Sequence, residues 1–189
     1  MQITTIDFET AAIVNGSPIP PKPVGIALKY GDGRSKYWSW GHPETNNCKR
    51  SEAKKQLIEY MNASDAIVFH NAKFDLSVMS HWLNVDVPPA CEIFDTMIMA
   101  FLCNPHEKSL GLKQLADKLL DMPPLEQDEL RDWVIKHVPK ANDKSWGAYI
   151  AQAPGSLVGM YATGDVDRTY LLFKQYHDIL TKDAEGLAS

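Results

Sequence analysis

Asp7 and Glu9 stand two residues apart in TTIDFET (residues 4–10), a stretch that otherwise reads as a buried strand. In a strand, positions i and i+2 project from one face, so the two carboxyls lie side by side. Such a pair repels unless something positive sits between its members. An edge strand with one solvated face could carry the same two acids without any function. Carboxylate oxygens suit Mg²⁺ and Mn²⁺ better than imidazole or thiolate would, so the chemistry in view is that of a hard divalent cation.

Two further acids bear on that reading. Asp75, in HNAKFDLSVM (70–79), follows the apolar run AIVF (66–69) and falls near a helix start. Ligands of α/β sheets tend to bind at the C-terminal end of such a strand. An acid in a first helical turn also meets the helix dipole favourably with no further role. In YATGDVDRTYLL (161–172), Tyr161 and Asp165 are four apart and share one helix face. Tyr161 reads equally as a half-buried aromatic with its hydroxyl at the surface. Asp167 points elsewhere and reads as a solvated acid paired with a nearby base. Gly164 costs about 1 kcal/mol against alanine inside a helix, and a close neighbour would explain it.

The elements that must position these residues follow from periodicity. Residues 3–8, 24–30 and 35–40 read as strands, joined by the proline-rich SPIPPKP (17–23) and the turn GDG (31–33). A helix begins near Ser51, its candidate N-cap. AIVF, apolar throughout, has the character of a central strand covered on both faces. A helix over 73–83 follows, then a strand within CEIFDT (91–96), with Asp95 placed to cap the next helix. Further helices are expected over 109–120, 122–137 and 156–181. Hairpin strands followed by alternating strands and helices give an α/β fold, a mixed β-sheet flanked by helices. The chain reads as a single domain, residues 1–189 with a core over about 3–180.

Composition narrows the function classes. The 189 residues are 44% hydrophobic and 23% charged, which suits a globular domain with its own core. No apolar run of about 18 residues predicts a membrane span. MQITTIDFET lacks a basic segment followed by an apolar one, so no secretory signal is expected. Cys48, Cys91 and Cys103 form no CxxC pair and suit a reducing, cytoplasmic setting. Cys103 and His106 have a metal-like spacing, but no second pair follows them. A net charge of −5 argues against passive nucleic-acid binding through a basic surface. It leaves room for an acidic cluster whose bound cations restore positive charge locally.

The order D-x-E, N-x-x-F-D, Y-x-x-x-D, carried by DFET, NAKFD and YATGD, resembles the DEDD 3′–5′ exonucleases of the ribonuclease-H-like superfamily, in their tyrosine-bearing branch. FDTMIMAFLCNP and SLGLKQLADKLL look like the segments between the second and third motifs of proofreading domains in family A DNA polymerases. The resemblance spans about residues 3–175. It implies a ribonuclease-H-like mixed sheet, a three-strand meander and then β/α units. It also implies a two-metal-ion exonuclease using Mg²⁺ or Mn²⁺ and releasing nucleoside 5′-monophosphates. Asp7 would bridge two ions, Glu9 and Asp165 would hold the ion carrying the attacking water, and Asp75 would act through metal-bound waters. Tyr161 would orient the water. Thr10, Asn71, Lys73 and Phe74 would contact substrate.

The chemistry agrees with that assignment. Phosphodiester hydrolysis needs an ionised water, charge relief on the non-bridging oxygens and help for the leaving 3′ oxygen; two ions about 3.5–4 Å apart supply all three. Tyrosine is a poor base at neutral pH, so orienting water suits Tyr161 better than deprotonating it. A terminal base needs an apolar platform, for which AAIV (11–14) is a candidate, whereas Phe8 faces the core. Lys73 could reach a phosphate or lie free at the surface. Lys136, Lys140 and Lys144 are spaced by four, but Pro139 breaks the helix that would align them. The expected partner is a nucleic-acid 3′ end, DNA over RNA because the chain ends soon after the third motif, and a separate DNA polymerase is a second candidate partner. The alternatives are an exoribonuclease of the RNase D type and a non-catalytic binding module of the same fold.

Overall fold

The alternating N-terminal third folds into β1 (Ile3–Thr10), β2 (Pro23–Tyr30) and β3 (Ser35–Ser39), an antiparallel meander. The structure is a computed structural model and describes residues 1–188. The apolar run AIVF is β4 (Ala66–Phe69), parallel to β1 on its other side, and β5 (Glu92–Asp95) adds parallel to β4. The sheet order β3-β2-β1-β4-β5 makes β1 the central strand, which removes the edge-strand explanation of its two acids.

Helices cover both faces. On one, Ile6, Phe8 and Phe69 pack with Leu57 and Met61 of α1 (Arg50–Asn62) and with Val78 of α2 (Ala72–Val78). On the other lie α3 (Thr96–Cys103), α4 (Leu112–Leu120), α5 (Glu126–His137) and the long α6 (Gly155–Ala188). There Val68 meets Leu115, Leu172 and Phe173, while Ala27 and Tyr37 meet Val134, Val158 and Ala162. Strand alternation puts Ile6 and Phe8 on the α1/α2 side and so turns Asp7 and Glu9 towards α6.

Several boundaries differ from expectation. Ser51 is not the N-cap of α1: Lys49 holds that place, and Glu52 reaches back so that Oε2 accepts from the Lys49 N–H at 2.6 Å. The helix expected over 73–83 is α2 followed by a wider π-helical turn, Met79–Leu83. α4 starts at Leu112 rather than 109, after an extended Gly111, and α5 starts at Glu126, beyond Pro123 and Pro124. α6 runs longer than the expected 156–181. Asp95 does cap α3, accepting from the Met97 N–H at 2.9 Å. Among the described residues, no helix is long and apolar enough to cross a membrane.

Candidate active site

β1 ends at the site, and its register explains the crowding there. The ladder with β2 shifts register between Glu9 and Thr10, at the end of the strand that carries the two acids. Glu9 pairs with Gly25, and a Cβ at Gly25 would strike the ring of Tyr37. Glycine thus lets Tyr37 lie beneath the acids, its hydroxyl 2.8 Å from His42 Nε2.

Carboxylate oxygens of Asp7, Glu9 and Asp165 all lie within 4.8 Å of one another. The strand brings the first two and α6 brings the third, across more than 150 residues of chain. Burial and the neighbouring Asp165 charge push the Asp7 carboxyl up to about 7. Burial, with Asp7 and Asp165 close by, holds Glu9 well above the usual carboxylate range. Burial also raises Asp165, against the pull of Lys113. Asp165 Oδ1 is buried without a hydrogen-bond partner, 3.6 Å from Arg168 Nη1. Three crowded, desolvated carboxyls with an orphaned oxygen form an all-oxygen donor set that fits a hard divalent cation.

Asp75 lies outside that group of three. It is buried on α2, and its Oδ1 accepts the Phe8 N–H at 2.9 Å. Phe8 lies beyond the pairing of β1 with β4, which ends at Thr5 and Val68, so the carboxylate takes the place of a strand neighbour. Burial raises Asp75 strongly, and the charge of Asp7 adds to the shift. Tyr161 stands one helical turn before Asp165, and burial beside that acid lifts its hydroxyl well above the ordinary value.

Of the remaining expected site residues, Asn71, Lys73 and Phe74 share one groove and Thr10 is not among its lining residues. Asn71 is exposed, in the left-handed conformation at φ 69°, and caps α2; its N–H and that of Ala72 donate to Asp95 at 2.9 and 2.8 Å. Lys73 is exposed and Phe74 half-buried. With Ile13, Val14, Ile19 and Pro20 these three line a groove of about 300 Å³. Ile13 and Val14, 67% and 70% exposed, present an apolar surface there, whereas Phe8 lies in the core at 4%. The Thr10 hydroxyl donates to the Ala11 carbonyl at 2.8 Å. Lys136, Lys140 and Lys144 are all exposed, at and beyond the end of α5.

Three residues of the site were not anticipated. Lys113 Nζ donates to Asp165 Oδ2 at 2.9 Å and to Tyr161 Oη at 3.0 Å, and sits 4.2 Å from the centre of the Tyr161 ring. Arg168 is buried and pairs through both terminal nitrogens with Glu126 of α5. A Cβ at Gly164 would collide with the Glu126 carboxylate, which is the close neighbour that its glycine implied. Arg168 had a signal, since i and i+3 face each other on a helix. Lys113 had none in the apolar pattern of α4; only the charge balance of the acids asks for a cation. Asp167 is the paired acid expected, 3.0 Å from Lys29 Nζ.

Residues 41–181 match the family model described as 3′–5′ exonuclease, a span that includes Asp75, Tyr161 and Asp165 and begins after β1. A curated relative, DNA polymerase I of Treponema pallidum (strain Nichols), is 33% identical over 124 residues, which are 65% of this chain. The match spans only 11% of that protein's length. Brucella melitensis NrnC with bound Mg²⁺ superposes with a TM-score of 0.61 at 20% identity, covering 96% of this chain and 75% of that one. Brucella melitensis NrnC bound to pGG superposes at 0.62 with 21% identity, over 96% and 74%. At those identities the structures establish a shared fold.

Proposed function

Given that the chain belongs to the 3′–5′ exonuclease family, in its DEDD, ribonuclease-H-like class, we propose that it is a single-domain nuclease that trims the 3′ end of DNA and releases nucleoside 5′-monophosphates. Metal-dependent 3′–5′ exonuclease activity comes with the family. The DNA end, the ions and the residue roles are our reading. The observation that carries it is the meeting of Asp7, Glu9 and Asp165 within 4.8 Å, with Tyr161 one turn away on α6.

Asp7, Glu9 and Asp165 would hold Mg²⁺ or Mn²⁺, two ions per site, with Asp75 acting through water. The bound ions supply Lewis acidity for the phosphate and a water of lowered pKa. The protein's own residues arrange the rest. Tyr161 Oη accepts from Lys113, which leaves its proton for the attacking water and so orients that water. Ile13, Val14 and Phe74 offer an apolar wall to the terminal base, and Lys73 and Asn71 lie at the same groove, within reach of a phosphate or sugar. Thr10, next to Glu9 in sequence, would contact the same terminal nucleotide.

DNA is favoured by the identity to a DNA polymerase I, and proofreading beside a separate polymerase fits the same relationship. A second reading, action on RNA ends, is favoured by the likeness to NrnC bound to pGG. Incubation with 5′-labelled DNA and RNA oligonucleotides, with Mg²⁺, Mn²⁺ or chelator, separates them. A ladder shortening from the 3′ end of DNA, with RNA slower and chelator blocking both, is the expected result. Faster trimming of RNA would overturn the DNA assignment, and cleavage in chelator would overturn the metal assignment.

A further inference from the structure

The cluster of Asp7, Glu9 and Asp165 also contains an ammonium group. Lys113 reaches it from the first turn of α4, its side chain only 17% exposed. The segment before it is pinned: the His70 ring, at the end of β4, lies 2.8 Å from Thr96 Oγ1 and 2.9 Å from the Leu110 carbonyl. Nζ binds Asp165 Oδ2, while Oδ1 of the same carboxylate has no hydrogen-bond partner. The charge also reaches the strand acids, drawing Asp7 and Glu9 downward against their burial. Arg168 differs, because its charge is met by Glu126 on both terminal nitrogens.

We propose that Lys113 is a resident counter-ion of the acidic cluster: its ammonium balances Asp7, Glu9 and Asp165 in the metal-free protein, and a divalent cation binds by displacing it from Asp165. The proposal rests on the metal-binding reading of the site given above. A lysine suits this part, since its compact charge rides on a flexible four-carbon stem and can leave one partner while keeping another. The second partner is already in place. Tyr161 offers Nζ both a hydroxyl at 3.0 Å and a ring face at 4.2 Å, so the ammonium can stay beside the tyrosine after yielding Asp165. Lys113 would then tie the state of the metal site to the position of the Tyr161 hydroxyl.

The test is calorimetric titration of Mn²⁺ into the metal-free wild type, Lys113→Met and Lys113→Arg at pH 8, with melting curves in chelator and in saturating Mn²⁺. Lys113→Met removes the competing charge and keeps much of the stem. It should bind Mn²⁺ about tenfold or more tighter, and should melt lower than wild type in chelator but not in Mn²⁺. Lys113→Arg keeps the charge and should bind near wild type. Lys113→Gln repeats the measurement if the methionine variant does not fold in chelator. Unchanged or weaker Mn²⁺ binding by the charge-removed variant would overturn the counter-ion role. No binding by the wild type itself would instead remove the metal reading on which the proposal stands.

Discussion

Phe8 and Asp75, 67 residues apart, are joined by one buried hydrogen bond: the Phe8 N–H donates to Asp75 Oδ1 at 2.9 Å. That amide sits between the two acids of β1, so the contact ties α2 to the strand end beside the packing of Phe8 with Val78. It gives Asp75 a duty as an acceptor for the strand, separable from the charge proposed for it at the site.

Asp75→Asn keeps an acceptor for the Phe8 amide and removes the charge. Hydrolysis should fall by about 10–100-fold while urea unfolding stays near wild type. Asp75→Ala should lose activity similarly and also lose about 1–3 kcal/mol of stability, because a buried N–H is left unpaired. Equal stability of the two variants would show that the contact contributes nothing to the fold.

Asp7→Ala and Tyr161→Phe should fail in different ways. The first removes a carboxylate from the cluster, so hydrolysis and Mn²⁺ affinity should both be lost in a folded protein. The second removes a hydroxyl whose proposed part is to hold water rather than metal, so turnover should slow by about 10–100-fold with Mn²⁺ affinity retained. Calorimetry beside single-turnover kinetics checks both, and matching losses of metal would show that Tyr161 belongs to the metal shell.

The metal-free protein should weaken as pH rises. Asp7 is pushed up to about 7 in the folded chain against an ordinary 3.8, and Glu9 and Asp75 are raised with it. Across that window the folded state binds more protons than the unfolded state, so stability falls as pH rises from about 4 through about 7. Melting temperature in chelator should therefore drop between pH 5 and pH 8, and added Mn²⁺ should recover most of the loss at the upper end. A flat profile in chelator would mean that Asp7, Glu9 and Asp75 are not as desolvated as the structure has them.

Gly164→Ala sets two effects against each other. Helix propensity alone favours alanine by about 1 kcal/mol. The new Cβ would push aside the Glu126 carboxylate and disturb the pair that neutralises buried Arg168. The expected outcome in urea is a net loss of about 1–3 kcal/mol, since a disturbed buried ion pair outweighs propensity. A more stable variant would mean that Glu126 simply rotates away.

Local sequence determined much of this protein. The period of two around Asp7 and Glu9 already placed both on one face, and the spacing of four joined Tyr161 to Asp165, because side-chain direction repeats with the backbone. Strand and helix identities followed from the same periods, and the order of DFET, NAKFD and YATGD identified the family. Element ends were less legible. The Lys49 cap of α1 depends on a Glu52 carboxylate reaching back, and proline and glycine moved the starts of α5 and α4.

Tertiary structure decided what no local period encodes. β1 is central because β2 and β4 flank it, a matter of long-range pairing rather than of its own residues. Asp165 approaches Asp7 and Glu9 only because α6 crosses the face to which they point. Lys113 enters the site from a helix whose apolar stripe says nothing of charge, and Glu126 meets Arg168 from a different helix. These groups are brought together by packing across distant segments, and burial there raises the acids above the ordinary carboxylate range while a lysine stands against them.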